Sequence, residues 1–466
     1  MMDLERLVAA VGAVDVVGRA PVEVRDLAYD TRAVVPGTLY FCVPGANVDG
    51  HDFADEAIAQ GAVALVVERP LEVSVPQVVV PDARVAMAPA ADAFFAHPTA
   101  ELQVAGVTGT NGKTTTTFLL YAILAAARRR PGLIGTIEAR VGGERRGVRR
   151  TTPEAIDLQR LFREMLDAGD RSVAMEASSH ASALHRLDRV RFAVLVFTNL
   201  SHEHLDFHAN MEDYFGAKRR LFREGNPPAA VNIGDEYGRR LAAELPDALT
   251  FGFADNAQIG PEALAGVELK LRGRFNVENA LGALAAARLL GIDDDAIARG
   301  LESVRGVPGR FEAIDEGQPF EVIVDYAHKP VARETLLRTV RELAAGRVIC
   351  VFGCGGDRDR EKRPQMGRIA SELADVVIVT NDNPRSEDPQ AIIDAIVAGA
   401  VADVEVEVEL DRARAIANAI EIARDGDVVL IAGKGAEQGQ EFADRTVPFD
   451  DRESAREALR TLGART

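Results

Sequence analysis

Short apolar runs bounded by turn residues, each followed by a stretch of helical period, recur along the whole chain. In the first hundred residues, 39–43, 62–67 and 77–80 read as strands and 53–60 and 85–95 as helices, closed by the turn His97-Pro98-Thr99. A second series opens with an apolar strand at 104–108 and runs through strands at 172–176 and 193–198 to a helix at 276–290. Residues 304–309, with Gly306, Pro308 and Gly309, read as a linker. Beyond them lie strands at 320–325, 347–352, 376–380 and 428–432. Strands separated by helices of this length predict right-handed βαβ crossovers and parallel sheets. Ligands of such sheets collect beyond the carboxyl ends of the strands. The chemically interesting residues of this chain fall at those ends.

The stretch 104–124, VAGVTGTNGKTTTTFLLYAIL, is the strongest local signal. An apolar strand enters a turn with glycine at every third position, Gly106, Gly109 and Gly112, followed by Lys113, Thr114 and Thr115 at the head of an apolar helix. Backbone N–H groups freed by glycine curl around an anion, and the helix N-terminus adds partial positive charge. Lys113 is placed to reach outer phosphates and Thr114 to ligate Mg²⁺. The general G-x-x-x-x-G-K spacing would want glycine at Val107, so the loop is a variant of the common one. A nucleoside triphosphate is the expected ligand. The expected fold is therefore α/β in three domains: a small N-terminal α/β domain (1–100), a central P-loop-type parallel-sheet ATPase domain (101–305) and a C-terminal Rossmann-like α/β domain (306–466).

Bulk properties narrow the partners. A chain of 466 residues fits about three domains. A formal charge of −18 argues against a nucleic-acid backbone or an anionic membrane, since both would repel it. No run of about 18 apolar residues offers a membrane span. Three cysteines, Cys42, Cys350 and Cys354, with no signal peptide fit a reducing cytoplasm, and the Cys350/Cys354 pair reads as buried small hydrophobes, not half a zinc site. A monomer acting on small molecules is expected.

Further candidates follow the central strands. The strand 172–175 runs into Glu176 and then Ala177-Ser178-Ser179-His180; a carboxylate at a strand end beside a nucleotide suits a Mg²⁺ contact. After 193–198 comes SHEHLDFHANMEDYFGAKRRLF, with His202, His204, Asp206, His208 and Lys218. H-E-x-x-H zinc chemistry would need histidine at 206, where this chain has aspartate. The three histidines alone could equally be solvated polar residues, and Lys218, followed by Arg219 and Arg220, could be a surface charge.

Taken together, GVTGTNGKTT, Thr151-Thr152-Pro153, MEASSH, FTNLSHEHLDFH, Ala217-Lys218, VDYAH, GCGGDRD, DNPR and AGKGAE resemble the Mur ligase family, ATP-dependent amide ligases of peptidoglycan precursor synthesis. The resemblance runs over 25–440 with the motifs in family order. It implies the branch that adds the third residue to UDP-MurNAc-L-Ala-D-Glu. It further implies that Gly109, Thr110, Asn111, Gly112, Lys113, Thr114 and Thr115 hold ATP, with Asn279, Arg310 and Asp325 as further nucleotide contacts. Thr114, Glu176 and His204 would ligate two Mg²⁺ ions, and Lys218 would be carbamylated to give an anionic oxygen ligand. Lys113, Glu176, His204 and Lys218 would thus carry the catalysis. Asp325 could instead cap the next helix.

For the substrates, the resemblance assigns Thr31 and Asn47 to the uridine end and Thr151, Thr152, Ser178 and Arg186 to the muramoyl dipeptide. The segment Asp30-Thr31-Arg32 is also common turn chemistry. Arg358, Asp382, Asn383, Pro384, Arg385, Gly433 and Glu437 would take the incoming amino acid. Asp382-Asn383-Pro384-Arg385 matches the form associated with meso-diaminopimelate, whose distal carboxylate a guanidinium can grip in bidentate fashion. The chain departs from the family pattern at Leu184, Lys329, Val331 and Ala436. A related ligase adding another amino acid, such as L-lysine, or a non-catalytic nucleotide-binding relative are the alternative readings.

Overall fold

The computed structural model describes residues 1–18, 21–45, 48–401 and 404–464. They form two compact units, Met1–Val267 with Glu278–Ser303, and Glu268–Val277 with Val304–Thr466.

The first unit carries two sheets. The smaller has five strands in the order Asp15–Val17, Gln77–Val79, Ala62–Val67, Thr38–Phe41 and Asp26–Ala28, parallel except for the first pair. Its alternating faces fill two cores. Leu39, Phe41, Ala64 and Val66 pack under the helix Ala83–Phe94, while Tyr40, Cys42 and Leu65 pack under Ala54–Ala59.

The larger sheet has eight strands. Gln103–Thr108 lies between Ser172–Glu176 and Phe192–Phe197, all parallel, and Pro131–Ile134, Ala229–Asn232 and Leu249–Phe251 extend it outward. Helices cover both faces, which is why these strands read as unbroken apolar runs and not alternating ones. One edge ends in an antiparallel hairpin, Ala139–Val141 with Glu144–Arg146, turned at Gly142 and Gly143, both at positive φ. Close packing explains Gly106: a methyl group there would lie 2.6 Å from the Phe192 ring.

The second unit is doubly wound. Its six strands run Glu312–Ala313, Glu321–Asp325, Val428–Ala432, Val348–Phe352, Val376–Val379 and Glu405–Val408, parallel after the first pair. Cores lie on both faces, one holding Leu337, Cys350, Met366 and Ile393, the other Ile349, Ile378, Ile416 and Ile431. Cys350 and Cys354 are buried free thiols, as expected, and burial pushes Cys350 up to about 11. The α/β, parallel-sheet expectation is met. Among the described residues no helix is long and apolar enough to cross a membrane.

Candidate active site

Strand Gln103–Thr108 ends in a turn that climbs into the helix Lys113–Ala126. Gly109 (φ 148°) and Gly112 (φ 84°) adopt backbone angles that side chains resist. A methyl group at Gly112 would also lie 2.2 Å from Asn279 Oδ1, so the bare backbone of the loop lies against the Asn279 side chain of the helix Arg274–Leu289. The turn is pinned to the next strand end: Thr110 N donates to Asn199 O (2.8 Å), Asn111 N to Asn199 Oδ1 (2.9 Å) and Thr198 Oγ1 to Asn111 O (2.6 Å). Thr114 and Thr115 are buried at the helix head.

Two lysines share one acceptor here. Lys113 Nζ donates to Gly109 O (2.9 Å) and Thr110 O (2.7 Å), and Lys218 Nζ donates to Gly109 O (2.8 Å). Lys218 projects from the helix Met211–Arg223, is only 1% exposed, and lies 4.7 Å from the centre of the Tyr214 ring. Burial, reinforced by the Lys113 charge, holds its amine well below the usual lysine range. The surface-charge reading of Lys218 is therefore wrong. The Tyr214 hydroxyl is 3.0 Å from Thr110 Oγ1, tying that helix back to the turn.

Glu176 is buried at its strand end, its oxygens accepting from Thr136 N (2.8 Å) and Thr136 Oγ1 (3.1 Å). Thr136 Oγ1 is 3.0 Å from Thr151 Oγ1. Thr152 Oγ1 donates to Glu176 O (2.8 Å) and accepts from Ser178 N (3.2 Å), and Arg186 Nη1 donates to Thr152 O (3.3 Å). Thr151, Thr152, Ser178 and Arg186 thus gather beside Glu176. The histidines divide: His202 is exposed, His208 is buried, and His204 packs edge-on against His180, ring centres 4.6 Å apart. Among the described residues no three His, Cys, Asp or Glu side chains form a ready metal cage.

At the N-terminal sheet, Thr31 opens a short 3₁₀ turn capped by Asp30, which also pairs with Arg32. The plain turn chemistry is present there. Asn47 lies outside the described residues.

In the second unit, Asp325 accepts from Phe311 N (2.8 Å) and Ala327 N (2.7 Å). It does not cap the following helix, whose cap position is Lys329. Arg310 lies over the Tyr326 ring, 4.2 Å from its centre. At the end of Val376–Val379, Asp382, Asn383 and Pro384 are buried. Asn383 Nδ2 donates to Glu437 Oε2 (3.1 Å), and Asn383 Oδ1 accepts from Lys434 Nζ (2.8 Å). Gly433 (φ 121°) has no room for a side chain, because a methyl group would lie 2.8 Å from Asp382 Oδ2. Arg385 is largely covered, and its Nη1 donates to Gly356 O (2.8 Å). Arg358 is exposed and donates to the neighbouring carbonyl of Asp357.

Residues 23–105, 107–287 and 309–435 match, in turn, the Mur ligase family catalytic domain, the Mur ligase middle domain and the Mur ligase glutamate ligase domain. The chain belongs to the Mur ligase family. Its three-domain fold agrees with a solved structure titled UDP-N-acetylmuramoyl-L-alanyl-D-glutamate--2,6-diaminopimelate ligase, 31% identical, TM-score 0.66, covering 96% of each chain. Proteins of that name from Solibacter usitatus (45% identical, 95% of each chain) and Geobacillus thermodenitrificans (46% identical, 93% of this chain and 94% of that one) are similar over nearly their whole length.

Two residues of this Mur ligase escaped sequence reasoning. Lys434 is fully buried, its ammonium within reach of Asn383, Glu437 (3.1 Å) and Asp382 (3.8 Å). Its place between two glycines after an apolar strand was the available signal. Glu154, also buried, receives Arg150 (2.6 Å), Arg186 (2.8 Å) and Arg84 (3.4 Å) and so fixes the Arg186 guanidinium. Nothing local marks it, because two of its three partners are distant in sequence.

Proposed function

We propose that this chain is an ATP-dependent amide ligase that adds meso-diaminopimelate to UDP-MurNAc-L-Ala-D-Glu, working as a cytoplasmic monomer in peptidoglycan precursor synthesis. The observation that carries the reading is the buried Lys218 amine, which shares the Gly109 carbonyl with Lys113 at a glycine-rich turn. Likeness to relatives named for that ligase and the covered guanidinium of Arg385 support the choice of substrates.

In this reading the N–H groups of 109–115 wrap the ATP phosphates, and Lys113 exchanges its loop carbonyls for phosphate oxygens. Asn279, Arg310 and Asp325 take the rest of the nucleotide. Thr31 and Asn47 hold the uridine end, and Thr151, Thr152, Ser178 and Arg186 hold the dipeptide. Asp382, Asn383, Pro384, Gly433, Glu437, Arg358 and Arg385 receive the amino acid.

The donors fit hard divalent cations: the Thr114 hydroxyl, the Glu176 carboxylate, the His204 imidazole and a carbamate on Lys218. A buried amine whose charged form desolvation disfavours suits the nucleophile that CO₂ capture needs, which loses one proton as the N–C bond forms. Two bound Mg²⁺ ions would neutralise charge on the transferring phosphoryl group.

The D-glutamyl γ-carboxylate attacks the γ-phosphorus of ATP, giving an acyl phosphate and ADP. The diaminopimelate amine then attacks that carbonyl and phosphate leaves. The protein supplies position and charge, and no side-chain nucleophile is required. ADP release, measured with UDP-MurNAc-dipeptide and meso-diaminopimelate, L-lysine or no amine, tests the reading. Turnover is expected only with diaminopimelate; equal turnover with L-lysine, or none with either, overturns it.

A further inference from the structure

We infer that Glu441 is a positioning residue that presents the Arg385 guanidinium to the distal carboxylate of the amino-acid substrate. This rests on the ligase reading and adds a residue to it. Three ties join Glu441 to the loop that carries Arg385. Its backbone N donates to Asn383 Oδ1 (3.1 Å), its carbonyl accepts from Arg385 N (3.0 Å), and its carboxylate oxygen Oε2 accepts from Arg385 Nε (2.6 Å). Arg385 itself sits at φ 53°, a left-handed conformation costly for a side-chain-bearing residue, so the loop needs such ties to hold it.

The geometry divides the guanidinium into used and unused edges. Nε is spent on Glu441 and one Nη1 hydrogen on Gly356 O (2.8 Å), while Nη2 makes no hydrogen bond to any described residue. A substrate carboxylate must therefore approach the end formed by Nη1 and Nη2, where two parallel N–H···O bonds are available. Glu441 is half-exposed and Arg385 is 24% exposed, so the carboxylate of the pair faces solvent more than the cation does. An exposed ion pair of this kind adds little to stability. Its value is orientation: without Glu441 the flexible arginine side chain loses the contact that selects one rotamer.

The test is a double-mutant cycle in the full chain, read as kcat and KM for meso-diaminopimelate and for ATP. Glu441→Ala is expected to raise the diaminopimelate KM about tenfold with kcat and the ATP KM within about twofold. Glu441→Gln, which keeps a neutral acceptor for Nε, is expected to recover part of that loss. In an Arg385→Ala background, Glu441→Ala should change the diaminopimelate KM less than about twofold, because the residue acts only through the arginine. Additive losses, an unchanged or lowered KM in Glu441→Ala, or a parallel rise in the ATP KM would overturn the inference. If Arg385→Ala leaves the diaminopimelate KM unchanged, the substrate reading itself fails, and that result stands apart from a failure of Glu441 alone.

Discussion

Around Gly109, two lysines aim their side-chain nitrogens at a single carbonyl, whereas around Asn383 the cations lie against carboxylates: Arg385 on Glu441, Lys434 on Glu437, Arg363 on Glu387. The contrast follows from what each region has to bind. A turn that receives a polyphosphate gains by gathering donors and positive charge at one place, at some cost in stability, since burial and the neighbouring Lys113 cation both disfavour a charged Lys218. A pocket for a diamino acid meets ammonium and carboxylate groups together, so it needs both signs, each already oriented. The first region stores potential and the second stores geometry.

The sharpest way to break this contrast is Lys113→Ala. Loss of the cation that follows the outer phosphates should lower kcat at least about a thousandfold. A loss of tenfold or less in a steady-state ADP assay would remove the phosphate role. Close behind is Lys218→Met, expected to stop turnover while raising the melting temperature of the ligand-free protein by about 2 °C, because it deletes a buried polar amine beside the Lys113 cation. A drop in melting temperature would mean that the two lysines are not in tension. Bicarbonate labelled with ¹³C should give a carbamate resonance in the parent chain that is absent from that variant.

In the second region, Arg385→Ala should raise the diaminopimelate KM tenfold or more and leave the ATP KM in place; a parallel rise in both would assign Arg385 to stability alone. The smallest effect concerns Glu387. The Arg363 guanidinium, with the Asp357 N–H, lowers its carboxyl to about 2. Between that value and the ordinary carboxyl range the unfolded chain binds more protons, so the stabilisation is complete above about pH 5 and is lost as pH falls towards 2. Glu387→Gln should therefore melt earlier than the parent at pH 7, with the gap closing on acidification. A gap that persists at pH 2 would exclude the ion pair as its source.

Much of the architecture was legible before any coordinates. The runs at 62–67, 172–176 and 428–432 are strands at those same positions, and the glycine turn before Lys113 leads from strand to helix as its residue order demands. Other features were not. Residues 268–277 group with the second compact unit although they include the first turn of a helix, Arg274–Leu289, that continues into the first. Asp325, a plausible helix cap by position, turned its carboxylate to Phe311 N and Ala327 N instead. Lys218 looked like one charge in a basic run and proved to be buried beside Lys113.

Periodicity and turn chemistry depend on neighbours within a few residues, so the residue order alone was enough to specify strands, helices and the phosphate-type loop. Which charge meets which partner depended on chain folding, because Lys218 with Gly109 and Arg385 with Glu441 are brought together from segments 109 and 56 residues apart. Burial then altered what those groups do: it stripped Lys218 of water and disfavoured the charged form of its amine, a property that no local sequence rule contains.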